Sequence, residues 1–272
     1  MEKILPDDFT ERITDRSNTE PQGFVEVGLS RILGTRKEQQ DSLSCKINES
    51  NRELFAVVCD GMGGLSEGEK AAATAVKCFY DCLLHHPSVE MLSQYLYQTA
   101  QLCDKKVHQL MNSNGGEKTG TTMVGIFITG NKLFWVCVGD SRIYLLRKGR
   151  IKCITREHNF SLLLSQRVQR GEMSPEEAVQ VKGRRDALIS YIGMGSASLI
   201  DVNESPILLH HEDKILLCSD GLFKSLSDDE IVKIIAEYSL NTEFSANALS
   251  AAALKCAKNH QDNTTVILIN YL

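Results

Sequence analysis

Residues 54–64 read LFAVVCDGMGG, a short apolar run that stops at Asp60 and continues into a glycine-rich turn. The run is apolar throughout instead of alternating with polar residues, which is typical of a strand buried on both faces. An aspartate beside a glycine is an ordinary turn signal, and here it marks the end of the strand. The segment therefore predicts an interior strand that brings a carboxylate to one edge of the fold.

The same pattern, in which an apolar strand adjoins an aspartate and a small residue, occurs three more times. These places are 133–138 before Gly139-Asp140, 215–218 before Ser219-Asp220-Gly221, and Asp262-Asn263 before 264–269. Turn signals at residues 130–131 and 148–149 predict that strands at about 121–128, 132–138 and 142–147 form one antiparallel meander. We therefore expect two central, mostly antiparallel sheets with acids at their strand ends.

Helix starts are marked by capping boxes, in which a serine and a glutamate three residues later satisfy each other's backbone amides. They occur at Ser66/Glu69, Ser174/Glu177 and Ser227/Glu230. The first helix is expected to end near Leu84, a second to cover about 88–111, and a last one to cover 245–260. With the sheets, these helices predict an α+β fold: a four-layer α-β-β-α sandwich.

The chain divides into a tail, one catalytic domain and an insertion within it. Residues 1–22 are polar without a clear period, and 23–272 read as a single domain. The charged segment at about 155–195 interrupts the strand pattern, and we expect it to form a flap beside the site.

Composition excludes several classes of protein. The chain has 272 residues, with 30 Lys and Arg against 35 Asp and Glu, so its net charge of -5 gives no general attraction to nucleic acid or to an anionic membrane. Its nine cysteines show no metal-site or redox spacing and predict free thiols in a reducing compartment. No run of about 18 apolar residues occurs. We therefore expect a cytoplasmic protein.

Four carboxylates at neighbouring strand ends need a counter-charge, because a buried acid without a partner is costly. Hard divalent cations such as Mg²⁺ and Mn²⁺ take oxygen ligands of this kind. Two ions about 3.5 to 4 Å apart can lower the pKa of a bridging water to give a hydroxide that attacks phosphorus. The acids thus predict a metal-dependent hydrolytic site.

Six ordered motifs resemble one known family, the metal-dependent protein phosphatases (type 2C), and more closely its bacterial branch. They are Arg36 with Gln39-Gln40-Asp41, then VVCDGMGG, TGTT, VGDSR, LCSDGL and DNTT, and the resemblance covers about residues 24–272. It implies hydrolysis of phosphoserine and phosphothreonine in proteins with two or three Mn²⁺ or Mg²⁺ ions. We expect the protein to be a monomer whose partners are a Ser/Thr kinase and the proteins which that kinase phosphorylates.

The resemblance also implies roles for individual acids. Asp60 would bridge two ions, the Gly61 carbonyl would bind one of them, and Asp220 and Asp262 would complete the first ion's shell. Asp140 would help Asp220 to hold a third, weaker ion.

Two further residues complete the implied site. Asp41 would act near the second ion through waters, and Arg36 would grip the substrate phosphate. Gln39 departs from the family's usual asparagine, which puts one supporting hydrogen bond in doubt. Met62 stands where many eukaryotic members have a histidine proposed as general acid, so we expect leaving-group protonation to come from water.

Two alternatives stay open, and a third, a nucleotide-binding turn, fails on its residues. A catalytically weak phosphatase fold could serve as a regulatory or binding module, although every expected acid is present. A nucleotide-binding turn at residues 59–69 has the wrong glycine spacing and an acid facing the phosphate. His158, at the start of the flap, could approach substrate or could have a structural role.

Overall fold

The computed structural model describes residues 25–48, 50–63, 67–113, 119–181, 183–257 and 260–272. The predicted tail at 1–22 lies outside these ranges. Gly64 of the glycine-rich turn and Ser66 of the first capping box lie outside them as well. Predictions about them stay predictions.

The strands of the described residues form two antiparallel sheets. One is five-stranded, in the order β1 (Val25–Ile32), β12 (Thr264–Tyr271), β11 (Lys214–Cys218), β7 (Arg142–Arg147) and β8 (Arg150–Cys153). The other runs β10 (Ile207–Leu208), β6 (Lys132–Val138), β5 (Met123–Thr129), β3 (Glu53–Met62) and β2 (Asp41–Asn48), with β4 (Gly120–Thr121) on β3 and β9 (Asp201–Val202) on β6.

Three apolar layers separate the four layers of the fold. In β3, Leu54, Ala56 and Val58 face the other sheet, whereas Phe55 and Val57 alternate with them and face helices. The inter-sheet layer joins residues of both sheets, and a third layer lies between the five-stranded sheet and its own helices. The predicted α-β-β-α sandwich is confirmed, because each central strand buries both of its faces.

The helices lie on the two outer sides. Helices α1 (Glu67–Leu83) and α2 (Leu92–Ser113) cover the larger sheet, and α5 (Asp220–Phe223), α6 (Asp228–Glu237) and α7 (Thr242–Cys256) cover the smaller one. The capping box of α6 is present as predicted. In the described part of the chain, no helix combines the length and apolar character needed to cross a membrane.

Three helix boundaries differ from the prediction, one of them being the end of α7, which lies at Cys256 and not at 260. A 3₁₀ turn at Val89–Met91 precedes α2, so the α-helix begins at Leu92 and not at 88. Helix α7 begins before 245, because the Asn241 side chain accepts from the backbone N–H of Phe244 and caps it there.

The predicted three-strand meander is wrong. Strands β5 and β6 pair as expected, but β7 belongs to the other sheet, where it pairs with β11 and β8. The chain changes sheets at Gly139, whose φ of +102° lies in the region that favours glycine. A Cβ there would also lie 2.7 Å from Thr122 Cγ2. The crossing places Asp140 between the two sheets.

The segment at 155–195 contains two helices, α3 (Phe160–Gln169) and α4 (Pro175–Gln180). The sequence predicted α4, with the Ser174/Glu177 capping box that the structure shows. It missed α3, although the Asn159 side chain caps that helix by accepting from the backbone N–H of Leu162.

Candidate active site

A cleft of about 940 Å³ is lined by strand ends and loops of both sheets. Asp60 lies near the end of β3, Asp140 at the β6–β7 crossing, Asp220 at the start of α5 and Asp262 just before β12. The fold thus brings all four predicted carboxylates to one cleft. Gly61 and Arg36 line it as well.

Asp41 lies beside Asp60, because the two residues are direct partners in the β2–β3 ladder. Asp41 is 1% exposed, and its Oδ2 accepts from Ser219 Oγ at 2.8 Å and Thr265 Oγ1 at 2.7 Å. Its Oδ1 is buried with no hydrogen-bond partner among the described residues. Burial raises the pKa of Asp41 to about 6, although the two hydroxyl donors oppose the rise.

The pKa of Asp60 is raised both by burial and by four neighbouring carboxylates. Burial raises its pKa well above the ordinary value, and Asp41, Asp220, Asp140 and Asp262 raise it further, in that order. A cation in the cleft would relieve this repulsion.

The backbone around Asp60 is fixed from both sides. Its N–H donates to Thr122 Oγ1 at 3.0 Å, and its carbonyl accepts from Thr121 Oγ1 at 2.9 Å. The next residue, Gly61, donates its N–H to the Gln40 carbonyl at 3.1 Å. A Cβ on Gly61 would lie 2.2 Å from the Gly68 carbonyl oxygen, so only glycine fits there.

The turn that carries Asp140 is held by His158. The Gly139 N–H donates to His158 Nδ1 at 3.2 Å, and the His158 N–H donates to the Gly139 carbonyl at 2.8 Å. His158 is fully buried, with Nε2 3.1 Å from Asp201 Oδ2. Its role is therefore structural. Asp140 is 8% exposed, and burial, followed by the charge of Asp220, raises its pKa to about 7.

Two of the carboxylates are paired with cations. Arg36 Nη2 donates to Asp262 Oδ2 at 2.6 Å, with both side chains partly exposed. Lys224 Nζ donates to Asp220 Oδ2 at 2.5 Å, while Asp220 Oδ1 is buried with no partner in the described part of the chain. The sequence did not single out Lys224, since an (i, i+4) pair is common on helix surfaces.

The donor set fits hard divalent cations. The groups are carboxylates and a backbone carbonyl, and two of the carboxylate oxygens have no hydrogen-bond partner among the described residues. Burial, and after it repulsion from neighbouring acids, raises the pKa of Asp41, Asp60 and Asp140.

No three His, Cys, Asp or Glu side chains of the described ranges are placed to hold an ion, and Asp262 Oδ2 and Asp220 Oδ2 are paired with Arg36 and Lys224. An ion that used Asp220 Oδ1 would leave the Lys224 pair in place, whereas an ion that used Asp220 Oδ2 would have to displace Lys224.

Gln39 and Asn263 support the loop that carries Arg36. Gln39 Nε2 donates to the Ile32 carbonyl at 3.0 Å, and its Oε1 accepts from the Asp41 N–H at 3.0 Å. Asn263 Oδ1 accepts from the Gln40 N–H at 2.8 Å. The glutamine at position 39 thus keeps a backbone hydrogen bond to Asp41.

The flap reaches the cleft through its second half, where Asp186, Leu188 and Tyr191 line the wall. Its end is held by Asp104 on α2, which is 2% exposed. The Asp104 carboxylate accepts from the N–H groups of residues 193, 195 and 197 at 2.7, 3.1 and 3.1 Å. Sequence reasoning missed Asp104. The signal was an acid beside the buried stripe of an amphipathic helix.

Comparison with known proteins points to one family. A family model described as "Protein phosphatase 2C" matches residues 33–257. The chain is 27% identical over 241 residues to "Serine/threonine phosphatase stp" of Listeria monocytogenes, which covers 86% of this chain and 90% of that protein.

The solved structures that are similar to this chain include two serine/threonine phosphatases. The S. agalactiae serine/threonine phosphatase superposes with a TM-score of 0.79 at 23% identity, over 90% of this chain and 99% of the other, which shows the fold. The catalytic domain of the phosphatase PstP in complex with 2 manganese ions gives a TM-score of 0.70 at 25% identity, over 92% and 99%.

Proposed function

Because the chain belongs to the protein phosphatase 2C family, we propose that the carboxylate cleft is where it hydrolyses phosphoserine and phosphothreonine in proteins. The protein is a metal-dependent Ser/Thr protein phosphatase that uses Mn²⁺ or Mg²⁺. The observation that carries the assignment to this cleft is the convergence of Asp60, Asp140, Asp220 and Asp262 from separate segments of the chain.

Each acid of the cleft has its own role in holding the ions. Asp60 would contribute to two ions, the Gly61 carbonyl would contribute to one of them, and Asp220 and Asp262 would supply the remaining protein ligands of the first. Asp140 would hold a third, weaker ion together with Asp220. When bound, the ions lower the pKa of a coordinated water and neutralise charge on the phosphoryl group.

Arg36 and Asp41 act around this group. Arg36 Nη2 lies 2.6 Å from Asp262 Oδ2. When Asp262 binds a metal ion, the planar guanidinium of Arg36 becomes available to bind the substrate phosphate from the cleft wall. Asp41 lies beside Asp60 in the β2–β3 ladder, and its Oδ1 has no hydrogen-bond partner in the described part of the chain. This oxygen is suited to accept a hydrogen bond from a water near the second ion. Ser219 and Thr265 fix its orientation.

The setting of the enzyme follows from the same residues. Its substrates are phosphorylated proteins, and a Ser/Thr kinase is the opposing enzyme. The core that both sheets share supports one catalytic domain over residues 23–272, which we expect to act as a monomer. All nine cysteines are unpaired, which suits a reducing compartment, and we assign the enzyme to the cytoplasm.

A phosphopeptide assay tests the proposal. Phosphoserine and phosphothreonine peptides should be hydrolysed with Mn²⁺, EDTA should abolish the activity, and a phosphotyrosine peptide serves as the discriminating control. Asp60→Asn should remove the activity while circular dichroism stays unchanged. A folded wild-type protein without turnover at any Mn²⁺ concentration would instead identify a regulatory or binding module.

A further inference from the structure

Lys224 brings a fixed positive charge to the carboxylates on the Asp140 side of the cleft. Its Nζ donates to Asp220 Oδ2 at 2.5 Å, and its side chain lines the same cleft as Asp140 and the flap residue Asp186. The ammonium is thus paired with the acid of α5 and shares the cleft with acids of the β6–β7 crossing and of the flap.

The electrostatics of the group agree with this position. Lys224 opposes the rise in the pKa of Asp140 that burial and Asp220 cause. Burial lowers the pKa of Lys224 itself, but Asp220, Asp140 and Asp186 outweigh burial, so that the pKa is raised.

An ordinary surface ion pair does not have these features. Surface (i, i+4) pairs join two solvated side chains and contribute little. Here the Lys224 side chain is 50% exposed but that of Asp220 only 13%, and the second oxygen of Asp220 is buried with no partner in the described ranges. The lysine thus neutralises a carboxylate that belongs to the proposed metal site.

We propose that Lys224 is the resident cation of the Asp140–Asp220 subsite and competes there with the third, weaker divalent ion. This inference rests on the proposed function of the cleft. An ammonium roughly 5 Å from a divalent ion weakens the ion's binding by about tenfold or more, even at the dielectric constant of water. The native protein therefore holds two ions firmly and a third only weakly.

Calorimetric titration of the full chain with Mn²⁺ tests the proposal, since it counts bound ions independently of activity. Wild type should bind two ions tightly. Lys224→Met keeps much of the side-chain length but removes the charge, and it should gain a third ion or bind it about tenfold more tightly. Lys224→Arg, which keeps the charge, should behave like wild type. The matched control is Lys37→Met, which removes the same charge from an exposed lysine of the same cleft.

The outcomes separate this inference from the proposed function. Equal stoichiometry and affinity in wild type and a folded Lys224→Met would overturn the role of Lys224 and leave the two-ion site intact. An equal gain in Lys37→Met would also overturn it, because the effect would then be one of general charge. A wild-type protein that binds no ion would overturn the proposed function and this inference with it.

Discussion

Replacing Asp140 by asparagine should make the metal-free protein more stable at and above neutral pH. The pKa of Asp140 is raised from 3.8 to about 7, first by burial and then by the charge of Asp220. A carboxyl whose pKa is raised on folding stabilises the protein at low pH, and that stability is lost as the pH rises through the folded value of about 7. At 1.36 kcal/mol per unit, ionising Asp140 costs the folded state at most about 4 kcal/mol.

Urea unfolding in EDTA, followed by circular dichroism between about pH 5 and pH 8, measures this cost. The asparagine side chain of the variant cannot ionise, so its free energy of unfolding should exceed that of wild type by about 2 to 4 kcal/mol at pH 8. The difference should shrink by more than half at about pH 5. Asp186→Asn removes an exposed acid from the same cleft and should change stability by no more than about 0.5 kcal/mol.

Added Mn²⁺ should narrow the difference between the two proteins, because wild type then gains the binding energy of an ion that Asp140 helps to hold. A variant that is less stable than wild type at pH 8 in EDTA would refute the reasoning. So would a stability difference that does not change with pH.

Four further predictions concern the acids, the substrate and the flap. Asp262→Asn should remove most activity with the fold intact, because it deletes an expected metal ligand; metal titration and circular dichroism check this. Arg36→Ala should mainly raise KM, since its guanidinium is expected to bind a phosphate that is present in both ground and transition states, as steady-state kinetics would show. Arg184 and Arg185 lie on the flap, which we expect to contact the protein part of the substrate and not its phosphate. Charge reversal at both should therefore alter the turnover of phosphopeptides but barely affect the turnover of a small aryl phosphate. Asp104→Asn should lower the free energy of unfolding by about 2 kcal/mol, because three backbone N–H groups lose a charged acceptor.

Each of these has an outcome that contradicts it. Near-normal turnover of Asp262→Asn at low micromolar Mn²⁺ would exclude that residue as a ligand, and a loss confined to kcat would exclude phosphate binding in the ground state by Arg36. Equal losses on both substrates in the Arg184 and Arg185 variants would mean that the flap supports the metal site. An unchanged unfolding midpoint in Asp104→Asn would show that the amides find other acceptors.

The sequence alone determined the layers of the fold and the identity of the acids at its centre. Runs such as residues 54–59 are short, apolar throughout and followed by an Asp-Gly turn signal, which favours interior strands, and the structure buries them. Local signals were equally reliable where the partners are close in the chain, as in the capping boxes at Ser174 and Ser227. Asp60, Asp140, Asp220 and Asp262 could be singled out because each adjoins such a strand.

Only the tertiary structure decided how these pieces meet. The crossing at Gly139 puts β7 in the second sheet, a choice that depends on pairing with β11 about seventy residues later in the chain. Arg36 pairs with Asp262 across 226 positions, and Asp104 accepts from a loop 89 positions away. Such contacts leave no periodic trace in the sequence, because their partners become neighbours only when the sheets and helices pack.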